Sequence, residues 1–311
     1  MTLDYKILWI DDREEFFSNH KSYIEDYLEN LGFDAKITTY KSFAEFEVEE
    51  KEATHQKIYD LFLIDLNLDH GKTGDELIIQ IRGNRILTDI IFYSTSLIDV
   101  RRKVNDNDIE GVYVTSRNQI DFEEKVADVI DVTIKKVQDV NNLRGLIMAE
   151  VAELDRIKER IIKGYNSQAD SAFKKYIKEK VFSKIKEELE SLNCIVKVED
   201  SECSYDEINL ETLQENFFYD AYKKSRTVNK IKKLICDSIG FVHDEYYSCV
   251  VKKRNVFAHE EEQVRNDGTK YLNYTDGSPL EFTPEHCIQI RKDIKKYKII
   301  LKKIEFKINE Q

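Results

Sequence analysis

Hydrophobic and polar residues follow one another along the first 140 residues in a pattern that predicts strands and helices in turn. Short apolar runs, each suited to one buried strand, alternate with longer segments in which apolar residues recur every three or four positions. The predicted strands are 6–10, 34–40, 60–65, 89–94 and 110–115, and the predicted helices are 16–31, 42–51, 74–83, 97–104 and 121–140. This alternation predicts an α/β domain with a doubly wound, five-stranded parallel sheet.

From about residue 141 the pattern becomes helical and predicts an all-α bundle. Apolar stripes at helical spacing predict helices over 143–161, 173–192, 210–224, 228–239, 241–260 and from Pro284 onward. One segment, 269–283, instead alternates about Asp276-Gly277 and predicts a small β-hairpin inserted in the bundle. The expected organisation is therefore two domains, 1–140 and 141–311.

The charge of the chain is distributed unevenly between these two halves. The net charge is −12, and residues 1–140 carry 17 Lys/Arg against 30 Asp/Glu, a balance of −13 that leaves +1 for the remainder. An acidic first half is a poor candidate for binding nucleic acid. The second half is locally basic at 223–224, 230–233 and 252–254, although such clusters are most often solvated helix faces.

Composition also limits the compartment and the metal chemistry. No apolar run approaches the roughly 18 residues of a membrane span, and the N-terminus lacks the layout of a signal peptide, so a cytoplasmic protein is expected. The five cysteines have no C-x-x-C spacing, which favours reduced, mostly buried thiols over a zinc site.

Polar side chains stand at the ends of three predicted strands of the first half. Asp11 and Asp12 follow the first strand, Asp65 ends the third and Ser94 ends the fourth. Ligands of doubly wound sheets bind at the carboxyl ends of the strands, so these side chains should meet there. Three carboxylates at one edge repel each other unless a cation lies between them, and oxygen ligands favour Mg²⁺.

Residues 4–138 resemble the response-regulator receiver domain. The resemblance rests on the acidic pair, on Asp65 with the following Leu66-Asn67-Leu68, on the helix start Gly74-Asp75-Glu76-Leu77, and on Ser94. It implies that Asp65 accepts a phosphoryl group from a histidine kinase or another upstream partner. It also implies that Asp11, Asp12 and Asp65 hold Mg²⁺ and that Ser94 binds a phosphoryl oxygen.

The last strand departs from the receiver pattern. It ends in Thr115-Ser116, where the family has Lys-Pro and uses the lysine to pair with the acceptor aspartate and the phosphoryl group. Arg117 is a nearby cation but occupies a different strand position. Two interpretations stay open: a receiver that is phosphorylated with a changed lifetime, and a pseudo-receiver that only binds a partner.

A second set of candidate residues lies in the segment 252–260. Asn255 and His259, four positions apart, share a face of the predicted helix, and Arg254 lies roughly 140° away from His259. Histidine transfers protons near neutral pH, and arginine binds phosphate oxygens with a permanent charge. This is chemistry suited to cleaving RNA without a metal.

The segment resembles the Arg-x4-6-His motif of the HEPN superfamily, within a bundle of five or six helices. The resemblance implies that Arg254 and His259 are catalytic, that Asn255 orients them, and that two protomers form one composite site. Acidic residues of the first long helix contribute in some members; Glu150, Glu153 and Asp155 are candidates here, although ion pairs on a helix face explain them more simply. The expected function is a receiver-regulated, metal-independent endoribonuclease with an RNA substrate, in a stress or anti-phage response.

The Arg-x-His spacing alone is weak evidence, because Arg13 and His20 also fit it in the first half. The alternative is a non-catalytic signalling protein whose helical domain serves dimerisation or docking. A DNA-binding factor is a weaker third interpretation, because no helix-turn-helix pattern is visible and the second half lacks a basic excess.

Overall fold

The computed structural model describes residues 3–51, 53–68, 72–137, 140–166, 168–193 and 219–310. The chain divides into two compact units, which we call the α/β unit and the helical unit. Residues 1–146 and 282–292 form the α/β unit, and residues 147–281 and 293–311 form the helical unit.

The α/β unit is built on a five-stranded parallel sheet with the strand order β2-β1-β3-β4-β5. The strands are β1 (Asp4–Ile10), β2 (Asp34–Tyr40), β3 (Leu61–Asp65), β4 (Asp89–Ser94) and β5 (Val112–Ser116). Every residue of β3 is buried, because helices cover both faces of a doubly wound sheet. The order 2-1-3-4-5 is one of the two common doubly wound arrangements, and the predicted fold class is confirmed.

In the described part of this unit, six helices accompany the sheet. They are α1 (Glu14–Asn30), α2 (Phe43–Glu49), α3 (Ala53–Gln56), α4 (Gly74–Gly83), α5 (Leu97–Asp106) and α6 (Gln119–Val137). Hydroxyl caps start two of them: the Ser42 side chain accepts a hydrogen bond from the Glu45 amide, and the Ser96 side chain accepts one from the Asp99 amide. The short α3 is an element that the sequence pattern did not predict.

The remaining elements are mostly helical. They are α7 (Val140–Tyr165), α8 (Ser171–Asn193), α9 (Ala221–Ile235), α10 (His243–Tyr246), a π-helical turn (Tyr247–Val251), α11 (Lys252–His259) and α12 (Pro284–Asn309). A small antiparallel sheet contains β6 (Gln263–Val264), β7 (Lys270–Asn273) and β8 (Pro279–Glu281). The strands β7 and β8 form the predicted hairpin, and Gly277 in its turn has a φ of +82°.

The bounds of α9 differ from those of two predicted helices. The sequence pattern placed one helix at 210–224 and another at 228–239, whereas α9 runs without a break through 225–227. Ser225 and Thr227 are polar residues, and both are buried inside the helix. The Thr227 hydroxyl donates to the Lys223 carbonyl at 3.0 Å and accepts from the Tyr219 hydroxyl at 2.6 Å, so its polar atom is satisfied there. The first part of that prediction, 210–218, lies outside the described residues.

The described cysteines differ from the prediction of mostly buried thiols. Cys236, Cys249 and Cys287 are free thiols, but only Cys287 is buried. Cys194 and Cys203 lie outside the described residues. Among the residues that the structure describes, no helix is long and apolar enough to cross a membrane.

Candidate functional site

The parallel sheet brings the predicted carboxylates together at its carboxyl edge. Asp11 follows β1 and Asp65 ends β3, and these two strands pair in register from Ile7–Leu61 to Ile10–Ile64. One carboxylate oxygen from each of Asp11, Asp12 and Asp65 lies within 4.8 Å of the others. Asp11 and Asp65 are fully buried, whereas Asp12 is half-buried.

The end of β4 adds a hydroxyl to this edge. Asp65 is opposite Tyr93 in the β3–β4 register, so Ser94 stands one residue beyond it. The Asn67 side chain donates to the Ser94 Oγ at 3.3 Å, and the Asn67 amide donates to the Asp65 Oδ2 at 3.2 Å. Asn67 thus links the phosphoryl-acceptor candidate with the phosphoryl-binding candidate.

Gly74 at the start of α4 has a steric reason to be glycine. A Cβ atom at this position would lie 2.1 Å from the Asp65 carbonyl oxygen, much closer than contact allows. Its amide donates to the Leu66 carbonyl at 2.9 Å. The glycine therefore lets α4 begin directly against the strand end that carries Asp65.

Arg117 places a positive charge beside Asp11 and Asp65, whereas Thr115 in β5 is uncharged. Its guanidinium forms an ion pair with Asp11, and Nη2 lies 3.5 Å from the Asp65 Oδ2. The guanidinium also lies 4.7 Å from the centre of the Phe16 ring, and the side chain is only 7% exposed. Thr115 instead donates its hydroxyl to the Asp121 carbonyl at 3.0 Å. The positive charge beside these carboxylates therefore comes from a residue two positions after Thr115.

A buried chain of hydrogen bonds holds Asp11 on its other side. The Trp9 indole donates to the Tyr93 hydroxyl at 2.7 Å, and the Tyr93 hydroxyl donates to the Asp11 Oδ2 at 2.7 Å. The Arg13 amide donates to the Asp11 Oδ1 at 2.9 Å. Burial and the neighbouring Asp11 raise the pKa of Tyr93 well above its usual value, so it remains a donor. The role of this tyrosine could not be predicted, since a Tyr inside an apolar strand carries no signal of a polar role.

The carboxylates are short of positive charge. The pKa of Asp65 is raised to about 7 by the sum of several effects: burial raises it most, Arg117 and the Asn67 amide lower it, and Asp11 and Asp12 raise it. The Asp65 Oδ1 is buried and has no hydrogen-bond partner among the described residues. A further cation with oxygen preference fits this donor set, and Asp11, Asp12 and Asp65 would hold Mg²⁺.

The helical unit arranges its candidate residues differently. Arg254, Asn255 and His259 all lie on α11, where Asn255 and His259 are exposed. Arg254 is half-buried, and its Nε is buried without a hydrogen-bond partner among the described residues. Its charge acts on Tyr246: burial and Asp155 raise the pKa of that hydroxyl, and Arg254 lowers it. The structure thus keeps Asn255 and His259 on an open face and turns part of Arg254 inward.

A π-helical turn directly precedes α11. Residues 247–251 have π geometry, so the predicted helix at 241–260 is not uniformly α-helical. Such turns are rare and are found frequently at functional sites. Nothing in the sequence predicted it, because a one-residue change in hydrogen-bond register leaves no compositional mark.

The other motif residues have structural partners. Glu150 pairs with Lys298 at 2.9 Å, Glu153 with Arg156 at 2.9 Å, and Asp155 with Lys158 at 2.6 Å. In the chance match at Arg13 and His20, Arg13 is exposed, whereas His20 belongs to the core and its Nδ1 lies 2.9 Å from the Glu123 carboxylate.

Comparisons with known proteins concern the α/β unit. The phosphorylated cyanobacterial phytochrome response regulator RcpA is 21% identical, with a TM-score of 0.33, over 43% of this chain and 96% of that one. A response regulator receiver domain protein from Clostridium thermocellum is 17% identical, with a TM-score of 0.32, over 42% of this chain and 95% of that one. The BeF3-activated DrrB receiver domain is 18% identical, with a TM-score of 0.32, over 42% and 97%.

These likenesses are distant, and the strand order of the sheet itself is what identifies the receiver-like fold. No protein-family model matches the chain, and the search of curated proteins found no match. The resemblance of the second half to the HEPN superfamily therefore stays a prediction.

Proposed function

We propose that residues 1–140 are a signalling domain in which Asp65 accepts a phosphoryl group. The observation that carries the proposal is the Asp65 Oδ1, a buried carboxylate oxygen without a hydrogen-bond partner among the described residues, beside Asp11, Asp12 and Arg117. A nucleophile must keep a lone pair unengaged, and this oxygen does. The pseudo-receiver interpretation would not require it.

The transfer is a displacement at phosphorus. The Asp65 Oδ1 forms a bond to the phosphorus of the donor, the bond to the leaving group breaks, and the leaving group departs with that electron pair. Only the ionised carboxylate can attack, and a pKa of about 7 keeps part of Asp65 protonated at neutral pH. The charge of Arg117 favours ionisation and is placed to stabilise the phosphoryl oxygens, while Ser94 donates a hydrogen bond to one of them. Bound Mg²⁺ would neutralise negative charge on the carboxylates and on the phosphoryl group.

The test is phosphorylation by a small phosphodonor in the presence of Mg²⁺. Intact-protein mass spectrometry should show one added phosphoryl group, labile to hydroxylamine as an acyl phosphate is. Asp65→Asn should abolish the addition, and Asp106→Asn, an exposed residue on α5, should not. Addition that persists in Asp65→Asn would disprove the acceptor assignment.

We further propose that residues 141–311 are the effector, a metal-independent endoribonuclease of the HEPN type acting as a homodimer. Arg254 and His259 would be catalytic, Asn255 would orient them, and the phosphoryl state of Asp65, set by a histidine kinase or another donor, would control the activity. The specific support is the pairing of Asn255 and His259 on one exposed face of α11, directly after a π-helical turn. An exposed face is what a composite site shared with a second copy requires.

RNA cleavage in EDTA tests the effector. Wild-type protein should cleave and His259→Ala should not, while His286→Ala, another exposed histidine, should cleave normally. Cleavage retained in His259→Ala would remove the histidine from the mechanism. If wild-type protein cleaves no RNA with or without phosphodonor treatment, the alternative gains support: a signalling protein whose helical domain serves dimerisation or docking.

A further inference from the structure

Two adjoining cavities in the helical unit form one basic groove along α8 and α9. The larger has a volume of about 580 Å³ and the smaller about 210 Å³, and they share Tyr176, Tyr222 and Arg226. Among the residues that the structure describes, seven cationic side chains and two carboxylates line the pair. In a chain with a net charge of −12, this is a local reversal of sign.

Four of these cations have no carboxylate partner among the described residues. They are Lys180, Arg226, Lys230 and Lys233. The others are neutralised: Lys223 pairs with Asp220, Lys232 with Asp237 and Lys184 with Glu187. A solvated helix face would mix charges, whereas four of the seven cations that the described residues bring to this groove form no ion pair within 4.0 Å.

Aromatic rings lie among these cations. The Lys230 Nζ is 3.6 Å from the centre of the Tyr176 ring, and the Arg226 guanidinium is 5.9 Å from that of Tyr222. Tyr222 is 41% exposed, although its ring packs edge-on against those of His243 and Tyr247 at 4.6 and 5.3 Å. Cations that follow a phosphate backbone and exposed rings on which bases stack are the two elements of single-strand recognition.

A buried histidine completes the groove. His243 lines the larger cavity, is 5% exposed, and its Nε2 has no hydrogen-bond partner among the described residues. The Ser225 hydroxyl donates to the Tyr222 carbonyl at 2.9 Å and lies 2.8 Å from the His243 Nδ1. With the Ser225 proton on the Tyr222 carbonyl, Ser225 accepts from Nδ1–H, and Nε2 of the neutral ring is then an acceptor, 3.9 Å from the Asp244 carboxylate. A ribose 2′-hydroxyl or a base amino group is a donor that this atom can take.

We propose that this groove binds a single-stranded nucleic acid, with phosphates on Arg226, Lys230, Lys233 and Lys180 and with bases on Tyr222 and Tyr176. The proposal adds a binding site to the chain and does not rest on cleavage by Arg254 and His259. The groove lies at the start of the helical run that begins at His243, and His259 ends that run sixteen residues later, about 24 Å away at the rise of an α-helix.

Binding is measured by fluorescence anisotropy with a labelled single-stranded RNA oligonucleotide and the full chain carrying His259→Ala, so that cleavage plays no part. Four phosphate contacts predict that log K falls against log salt with a slope of about −3. Arg226→Gln with Lys230→Gln should reduce that slope by about half and weaken binding about tenfold. The matched control is Lys302→Gln with Lys303→Gln, two exposed lysines of α12, which should change little.

Stacking is tested at Tyr222. Tyr222→Leu should weaken binding about tenfold, and Tyr222→Phe, which keeps the ring, should bind like the parent. Circular dichroism of each variant separates lost binding from lost folding. Equal binding by the groove variants and the lysine control would overturn the proposal.

The same binding measurement is repeated with other ligands. A DNA oligonucleotide of the same sequence separates the two sources of a single strand, and weaker DNA binding that becomes equal in His243→Phe would assign the 2′-hydroxyl to the His243 Nε2. Tighter, groove-dependent binding of an acidic phosphopeptide or of anionic phospholipid vesicles would overturn the nucleic-acid assignment. Failure of binding leaves the cleavage test unaffected, so the two proposals fail separately.

Discussion

The carboxylates of the α/β unit and the Arg/His motif of the helical unit show opposite relations between sequence distance and spatial arrangement. Asp11 and Asp65 are 54 residues apart, yet their side chains share one guanidinium. Arg254 and His259 are five residues apart on α11, yet one is half-buried and the other exposed. A parallel sheet gathers the ends of all its strands at one edge, whereas a helix distributes consecutive residues around its axis.

The two regions also differ in how their polar side chains are stabilised. Asp11, Asp65 and Arg117 are each almost fully buried, so their charges depend on one another for compensation. Asn255 and His259 face solvent, so water solvates their polar groups and they need no buried partner. Substitutions should therefore change stability strongly at the sheet edge and weakly on α11.

The largest effect is expected for Arg117→Ala. Removing the guanidinium leaves Asp11 and Asp65 buried without their cation, which should lower the free energy of unfolding by about 3–5 kcal/mol at about pH 8 in EDTA. Urea denaturation measures it. The control is Arg102→Ala, which breaks an exposed pair with Asp99 and should cost at most about 1 kcal/mol.

Mg²⁺ sharpens this prediction. If Arg117 acts through charge, saturating Mg²⁺ should restore more stability to Arg117→Ala than it adds to the wild type, because a cation then replaces a cation. A deficit that is equal with and without Mg²⁺ would show that Arg117 acts through its packing on Phe16 instead.

Asp65→Asn should stabilise the protein in EDTA, and the gain should depend on pH. The folded-state pKa of Asp65 is raised from 3.8 to about 7, so folding favours the protonated form and is penalised once the carboxyl ionises. Wild-type stability is therefore lost as pH rises from 3.8 to about 7, and the variant avoids that loss. The gain should be near zero at the lower pH and at most about 4 kcal/mol above the upper one. A gain that does not change with pH would contradict a raised pKa.

The sequence predicted much of this site because strand periodicity determines where strands end. Asp11, Asp12, Asp65 and Ser94 were placed correctly at strand ends, and parallel pairing then brings them to one edge. The sequence identified Arg117 only as a nearby cation at a different strand position. Its contact with Asp11 and Asp65 could not be predicted, because it depends on the conformation of the loop after β5. That conformation has the Arg117 amide donating to the Ser94 carbonyl at 2.8 Å, a contact between distant segments.

The helical unit was predicted less well, because polarity along a helix does not distinguish a break from a satisfied buried group. The two predicted apolar stripes ended at Lys224 and resumed at Val228, and the polar Ser225 and Thr227 lie between them. In the structure their hydroxyls bond to backbone carbonyls one turn earlier and to the side chains of His243 and Tyr219. Only the tertiary partners decide between these alternatives.

Thr227→Val tests that explanation and should have an intermediate effect. The substitution keeps the shape but leaves the buried Tyr219 hydroxyl without its acceptor, at a cost of about 1–2 kcal/mol in unfolding free energy. Adding Tyr219→Phe removes the orphaned hydroxyl and should recover most of the loss. If the double variant is as unstable as the two single losses combined, the hydrogen bond is not the source of the effect.

The smallest effect is expected for His259→Ala. The side chain is exposed at the last residue of α11, so the free energy of unfolding should change by less than about 0.5 kcal/mol. Arg254→Ala should cost more, about 1 kcal/mol, because its side chain is half-buried and its charge acts on the buried Tyr246 hydroxyl. Urea midpoints of both variants measure the difference. This small effect allows the cleavage experiment to be interpreted. If His259→Ala folds like the wild type and no longer cleaves RNA, the side chain is needed for the chemistry. If the variant is destabilised instead, His259 has a structural role, and a loss of cleavage would not show a catalytic one.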